Sequence, residues 1–281
     1  MSNTSLRVAF QGERGAFSEA AAIAHFGADI EPVPCEEFDD VFRCVADGVC
    51  DRGMVPIENS LGGSIHRNYD LLLRHDLAII GEENLRVVHN LLALPDVKLE
   101  DLQRVYSHPQ GLAQCEGTLE RLGLERVPMY DTAGSAKYVR EQGIRDGAAI
   151  ASRRAAEVYG LAILMEGIED DPENYTRFLA LAREAPPPPP LDVPAKTSLV
   201  FAASNVPGSL FKALSVFALR DIDLTKIESR PLKGKPFEYY FYLDFSGTLA
   251  DPRCQKALDH LAEYASYLRI LGSYLKAATR D

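Results

Sequence analysis

The chain reads as an α/β protein with a second, smaller module after it. Three observations carry that reading. Over the first 184 residues, short apolar strands alternate with loops of glycine and hydroxyl residues and with helices. Alternation of that kind builds a parallel sheet, or two of them. Five consecutive prolines, Pro186 to Pro190, then end the pattern, and such a run adopts an extended polyproline II spacer of about 3.1 Å per residue. Beyond them the order becomes strand, helix, strand, strand, helix, strand, the ferredoxin-like βαββαβ arrangement. The expected limits are 1–184 for the α/β region, 185–196 for a Pro-rich linker and 197–276 for the second module.

The elements follow in order. A strand at 6–10 runs into Gln11-Gly12-Glu13-Arg14-Gly15-Ala16-Phe17-Ser18, and a helix follows at 19–26. A strand at 54–57 leads to Glu58-Asn59-Ser60-Leu61-Gly62-Gly63-Ser64 and a helix at 65–74. The third unit is a strand at 104–106, the loop Ser107-His108-Pro109-Gln110-Gly111 and a helix at 112–122, with Pro109 in the first turn, where proline is tolerated. A strand at 127–130, the loop Asp131-Thr132-Ala133-Gly134-Ser135 and a helix at 136–142 come next. A strand at 148–151 then meets Ser152, a natural cap for a helix at 153–159. The region closes on Asn174-Tyr175-Thr176-Arg177-Phe178-Leu179, a strand introduced by an acidic turn at 169–173. Side chains alternate along a strand, so Thr176 and Phe178 share one face and Arg177 takes the other. In the second module, strands are expected at 197–203, 223–230, 236–245 and 268–274, and helices from Asn205-Val206-Pro207-Gly208-Ser209 through 220 and at 252–264. Lys233-Gly234-Lys235 makes the turn between the two central strands. Small sheets with exposed edges commonly pair, so a dimer is expected.

Composition excludes several classes. A net charge of −11 and a pI near 5.1 argue against nucleic acid or an anionic membrane as partner, and no apolar run approaches a membrane span. Residues 1–7 are short and polar and enter a strand directly, which reads as no secretory signal and a cytoplasmic location. Five cysteines without a CxxC pair suggest reduced thiols, and no His/Cys/Asp/Glu cluster has metal-ligand spacing. No nucleotide loop or nucleophile elbow is present.

What the loops share is physical. Each brings the free N–H groups and positive end of a helix start to the carboxyl end of a strand, where open α/β sheets bind ligands and anions are favoured. Glycines 12, 15, 62, 63, 111 and 134 allow close backbone approach, and Ser18, Ser60, Ser64, Ser107, Thr132 and Ser135 add hydroxyls. A small polyanionic ligand suits them. His66 and His108 are acid–base candidates, whereas His25, His75, His89 and His260 lack a partner motif and read as structural. Glu58 is either a cleft carboxylate or a helix cap.

With these residues in view, the chain resembles the prephenate dehydratases over nearly its whole length. The resemblance rests on Gln11-Gly12-x-x-Gly15-Ala16-Phe17-Ser18, Pro56-Ile57-Glu58-Asn59-Ser60-Leu61-Gly62-Gly63-Ser64, Ser107-His108-Pro109-Gln110 and Asn174-x-Thr176-Arg177-Phe178. It implies a catalytic region of two α/β subdomains, similar to type 2 periplasmic binding proteins, with the active site between them. The C-terminal module resembles an ACT domain, with phenylalanine-binding motifs at Asn205-x-Pro207-Gly208-Ser209-Leu210 and Glu228-Ser229-Arg230-Pro231; Ser209 stands where the family usually has alanine. The resemblance also implies a monofunctional enzyme, since no chorismate mutase helix is read before the catalytic region.

The implied reaction takes prephenate to phenylpyruvate, water and CO₂. Aromatisation drives it, so no cofactor is needed. Thr176 is the implied proton donor, relayed from Glu58 or a water. Asn59, Ser60, Gln110 and Thr132 orient the substrate, and Gly15, Ser18, Gly62, Gly63, Ser107, Arg177 and Phe178 complete the expected site. L-Phenylalanine is the expected effector, acting between ACT modules of a dimer or tetramer. The run 58–73 also looks like arogenate dehydratases, which act on the amino analogue. A non-catalytic solute-binding or sensor protein on the same cleft is the remaining alternative.

Overall fold

The computed structural model describes residues 5–232 and 234–278; Lys233 of the expected turn and residues 1–4 of the expected polar start lie outside them. The chain begins with β1 (Arg7–Gln11), α1 (Phe17–Phe26), β2 (Glu31–Cys35), α2 (Phe38–Ala46), β3 (Arg52–Asn59), β4 (Gly63–Ser64), α3 (His66–Arg74) and β5 (Ala78–Arg86). It then crosses to a second lobe of β6 (Asn90–Ala93), β7 (Arg104–Ser107), α4 (Pro109–Ala113), α5 (Glu116–Leu122), β8 (Glu125–Pro128), α6 (Thr132–Glu141), β9 (Gly147–Ala151), α7 (Arg153–Tyr159) and β10 (Ala162–Met165). β11 (Tyr175–Ala182) returns to the first lobe. The last module holds β12 (Ala195–Ala203), α8 (Ser209–Ala218), β13 (Leu224–Pro231), β14 (Tyr239–Ser246), α9 (Pro252–Tyr264) and β15 (Ala265–Leu275).

These strands form three sheets, ordered β2-β1-β3-β11-β5 with β4 on β3, β10-β6-β9-β7-β8, and β13-β14-β12-β15. This is the expected mixed α/β class, two α/β lobes plus a ferredoxin-like βαββαβ sheet. The lobes are mixed sheets rather than parallel ones, because β11 lies antiparallel to both β3 and β5, and β6 antiparallel to β9 and β10.

The strands missing from the sequence reading have physical reasons for being missed. β2 is an edge strand with Pro32 and Pro34, residues that count against a strand yet are tolerated at an edge. β5 carries Glu82 and Glu83, both buried, so its apolar pattern breaks where tertiary partners supply compensation. The single helix expected at 112–122 is two helices, broken at Gln114 and Cys115.

The third sheet is not a free appendage. Val200, Tyr242, Leu271 and Tyr274 share one core with Val55, Ile57, Leu72, Ile79 and Leu179 of the first lobe. At Gly272 a Cβ would stand 2.0 Å from the Ile79 carbonyl oxygen, so the two sheets meet backbone to backbone. The proline spacer is also strapped down, since Thr248 Oγ1 donates to Pro189 O at 2.6 Å.

Candidate active site

A cleft of about 450 Å³ opens between the two lobes. The first lobe lines it with Gln11, Gly12, Phe17, Ser18, Phe38, Pro56, Asn59, Thr176 and Phe178, and the second with His108, Gln110, Gln114, Tyr130, Asp131 and Thr132. His89 lines it from the crossover between the lobes.

The centre of the site is a pair on adjacent strands. Thr176 on β11 lies in register with Asn59 on β3. Asn59 Nδ2 donates to Thr176 Oγ1 at 2.9 Å and to Asn174 Oδ1 at 2.7 Å. Asn59 Oδ1 accepts from the N–H groups of Leu61 and Gly62 at 3.1 and 2.7 Å. Donors at one end and acceptors at the other fix the carboxamide's orientation. Because Oγ1 accepts from Asn59, the Thr176 hydroxyl keeps its own proton to donate into the cleft.

Among the described residues, no lysine or arginine lines the cleft. What the cleft can offer an anion is helix starts. α1 begins at the lining residues Phe17 and Ser18, and its cap residue Ala16 supplies no side-chain acceptor, so the first-turn N–H groups are available to an anion. The other two starts are already capped. His108 Nδ1 accepts from Gln110 N at 3.2 Å, and Asp131 Oδ1 accepts from Gly134 N.

Three titratable groups in the lining are shifted: Asp131, His89 and Tyr130, whose phenol is pushed up chiefly by burial. Burial pushes the Asp131 carboxyl up, against the opposing pull of the backbone N–H groups of Gly134 and Glu13 and of nearby His108. Burial pushes the His89 imidazole down, opposed by its 2.8 Å bond to Gln114 and by Glu169. His89 is therefore a neutral ring near pH 7, stacked edge-on against Phe17.

Of the expected site residues, Thr176, Asn59, Ser18, Gln110, Thr132 and Phe178 meet at the cleft. The others take different places, and each is a correction. Glu58 lies on the back face of β3 and pairs with Lys226 at 3.0 Å, because alternation sends it opposite to Asn59. Arg177 likewise points backward, to Glu82 at 2.7 Å, Asp244 at 2.6 Å and the Tyr274 hydroxyl at 3.1 Å, and does not line the cleft. Ser60 is a clamp, donating to Glu173 O and accepting from Tyr175 N. Ser107 is fully buried and donates to Ile150 O. Gly15 sits at φ +87°, where an added Cβ would stand 2.6 Å from Ala155 Cα; it packs against the second lobe and is not in the cleft lining. Gly62 and Gly63 belong to the loop held by Asn59, and a Cβ on Gly62 would come within 2.7 Å of Gln110 Nε2. His66 lies outside, 3.3 Å from Glu228.

Sequence reasoning missed Gln114, Tyr130, Asp131, Phe38 and the lining role of His89. Asp131 had a signal as a helix cap beside Thr132. His89 and Gln114 had none, since only the crossover and the broken helix bring them together.

In the C-terminal module, a hollow of about 340 Å³ is lined by Asn205, Gly208, Ser209 and Leu210 with Phe211, Tyr239 and Phe241. Glu228 and Arg230 do not join it. They face the catalytic region, where Glu228 accepts from Ser64 Oγ at 2.6 Å and Arg230 holds Asp70 through two 3.1 Å bonds. Ser229 and Pro231 lie exposed on the other face of β13.

Comparison with known proteins agrees with this geometry. The family model for prephenate dehydratase matches residues 8–186. Arogenate dehydratase/prephenate dehydratase 2, chloroplastic, of Arabidopsis thaliana is 56% identical over 278 residues, covering 96% of this chain and 72% of that protein. A prephenate dehydratase from Arthrobacter aurescens, solved in complex with L-Phe, superposes with a TM-score of 0.88 at 33% identity, over 96% of this chain and 90% of that one. A structure described as a novel type of quorum-quenching acylase superposes with a TM-score of 0.90 at 37% identity, over 97% and 98%. The cytoplasmic expectation is overturned by relatives named chloroplastic; the first residues were no guide to location. A prephenate dehydratase match over most of the chain, and relatives at this identity, place the protein plainly: it is a dehydratase, and it belongs to the prephenate dehydratase family.

Proposed function

We propose that this chain converts prephenate to phenylpyruvate, water and CO₂, and that Thr176 assists departure of the ring hydroxyl. The observation that supports this reading is the Asn59–Thr176 pair: the amide occupies the threonine oxygen and leaves its proton for the leaving group. The C–O bond breaks as that hydroxyl departs, and one proton, drawn from solvent water and passed through the Thr176 hydroxyl, makes it water. The ring carboxylate is lost as CO₂, and its C–C electron pair completes the aromatic ring. A threonine hydroxyl is a weak acid, so its contribution is a hydrogen bond that strengthens as charge develops on the departing oxygen. The open start of α1 holds the pyruvyl carboxylate, and the apolar walls, Phe38, Pro56, Val87 and Phe178, exclude water from the ring carboxylate.

Arogenate is the second substrate to consider, favoured by Asp131, the only carboxyl among the described residues of the lining, which suits an ammonium where prephenate has a keto group. Acyl hydrolysis gains no support, because the described residues of the lining include no cysteine and Thr176 is held by an amide donor instead of a base. We further infer that L-phenylalanine binds the hollow beside Gly208 and Ser209. A second copy would cover the exposed Phe211 and Phe237 that line it. The chain would act in the plastid of its relatives. The test is steady-state turnover of the purified protein on prephenate and on arogenate. Activity on either supports a dehydratase of that substrate, and inactivity on both overturns the reading.

A further inference from the structure

We propose that Glu58 and Arg177 are positioning residues, which tie the Asn59–Thr176 pair to the C-terminal sheet through Lys226 and Asp244. The inference rests on the role given to Thr176 above. Its basis is the two-sided pairing of β3 and β11. Asn59 lies opposite Thr176, and one residue along Glu58 lies opposite Arg177. Successive side chains leave opposite faces of a strand. The front face therefore presents the hydroxyl and its amide to the cleft, while the back face presents a carboxylate and a guanidinium to the third sheet.

Both back-face charges are taken by that sheet. Lys226 of β13 meets Glu58 at 3.0 Å, and Asp244 of β14 meets Arg177 at 2.6 Å. Ser198 of β12 donates to the second oxygen of Asp244 at 2.6 Å and contacts the Tyr274 hydroxyl of β15, which in turn meets Arg177 at 3.1 Å. Glu82 of β5 completes the set, bonded to both Arg177 and Lys196. Every strand of the C-terminal sheet thus contributes a side chain to an arrangement centred one residue away from Asn59 and Thr176.

Packing does not require these charges, since apolar side chains of similar volume would stabilise such an interface at least as well. A fully partnered polar network, however, admits few geometries. The β11–β3 ladder also shifts register between Arg177 and Phe178, where Phe178 faces Pro56 and leaves Ile57 extra. Bulges loosen the local ladder and re-aim side chains, and Pro56 can donate no backbone hydrogen bond. At this point the strand pair alone defines the 2.9 Å Asn59–Thr176 contact weakly, and the back-face ion pairs define it from the third sheet.

The test compares Asp244→Asn and Lys226→Met, each in the wild-type and Thr176→Ala backgrounds, on whichever substrate the wild type turns over. Misplacing a catalytic group by a fraction of an ångström predicts kcat lower by about 10- to 100-fold with KM within about 2-fold. In the Thr176→Ala background the same changes should cost nothing further, and Lys226→Arg should retain wild-type kcat. Unchanged kcat in folded Lys226→Met and Asp244→Asn proteins would overturn the inference. So would an undiminished loss in the Thr176→Ala background, which would mean general loosening. If Asp244→Asn does not fold, Lys226→Met at the partly exposed Glu58 end decides the matter alone. A wild type inactive on both substrates would remove the dehydratase reading, and this inference with it. An active wild type with unaffected variants removes the inference alone.

Discussion

Replacing Thr176 by valine deletes one oxygen and keeps the β-branched shape that suits the strand. Thr176 is 8% exposed, so the cleft wall should keep its form. The structural cost can be worked from its partners. Asn59 Nδ2 has two hydrogens and three acceptors in reach, namely Thr176 Oγ1, Asn174 Oδ1 at 2.7 Å and Tyr175 O at 3.2 Å. Losing the first leaves both hydrogens satisfied, so no buried donor is orphaned, and the stability loss should be about 0.5–1.5 kcal/mol. The catalytic cost is larger. Removing a positioned proton donor lowers kcat by about 10²- to 10⁴-fold, or about 3–5 kcal/mol of barrier. Urea denaturation and steady-state kinetics on prephenate and arogenate separate the two effects. Thr176→Ser, which keeps the oxygen, should stay within about 10-fold of wild type because the hydroxyl can still take the Asn59 bond. A valine protein turning over at near wild-type rate would refute the role of the hydroxyl, whatever its stability.

Other outcomes follow from the same geometry. Gly15→Ala forces a side chain at φ +87° against the Ala155 backbone, and should destabilise by at least about 2 kcal/mol in a denaturant titration. Ser60→Ala removes the clamp between Glu173 O and Tyr175 N; it should cost about 1 kcal/mol and raise KM more than it lowers kcat. Burial depresses the His89 pKa, so the folded state disfavours its charged form. Its stabilising contribution is complete above the unfolded imidazole value of about 6.5 and is lost as pH falls below it toward the folded value. Melting temperature measured from pH 8 to pH 5 should fall more steeply for wild type than for His89→Gln. A fragment ending at residue 184 should unfold or aggregate, because it exposes the core shared with Val200, Tyr242, Leu271 and Tyr274 and leaves the buried Glu82 and Arg177 without Lys196 and Asp244.

Local chemistry made much of this protein legible from its sequence. The proline run, the change from α/β alternation to βαββαβ and the glycine–hydroxyl loops mark the α/β region and the separate C-terminal sheet, while leaving open whether the first region holds one sheet or two. They do so because turn residues, caps and strand periodicity act over a few neighbours. Alternation in Thr176-Arg177-Phe178 also separated the hydroxyl from the guanidinium correctly, although Arg177 was still counted among the substrate contacts. The same rule applied to Glu58 and Asn59 would have turned Glu58 away from the cleft. Tertiary structure alone decided the rest. The return of β11 between β3 and β5 sets Asn59 beside Thr176 across more than a hundred residues. The lobe crossover brings His89 to the cleft, and the docked third sheet gives Glu58, Arg177, Glu228 and Arg230 their partners. A strand's sequence states which residues share a face. What that face meets depends on long-range pairing, and no local pattern encodes it.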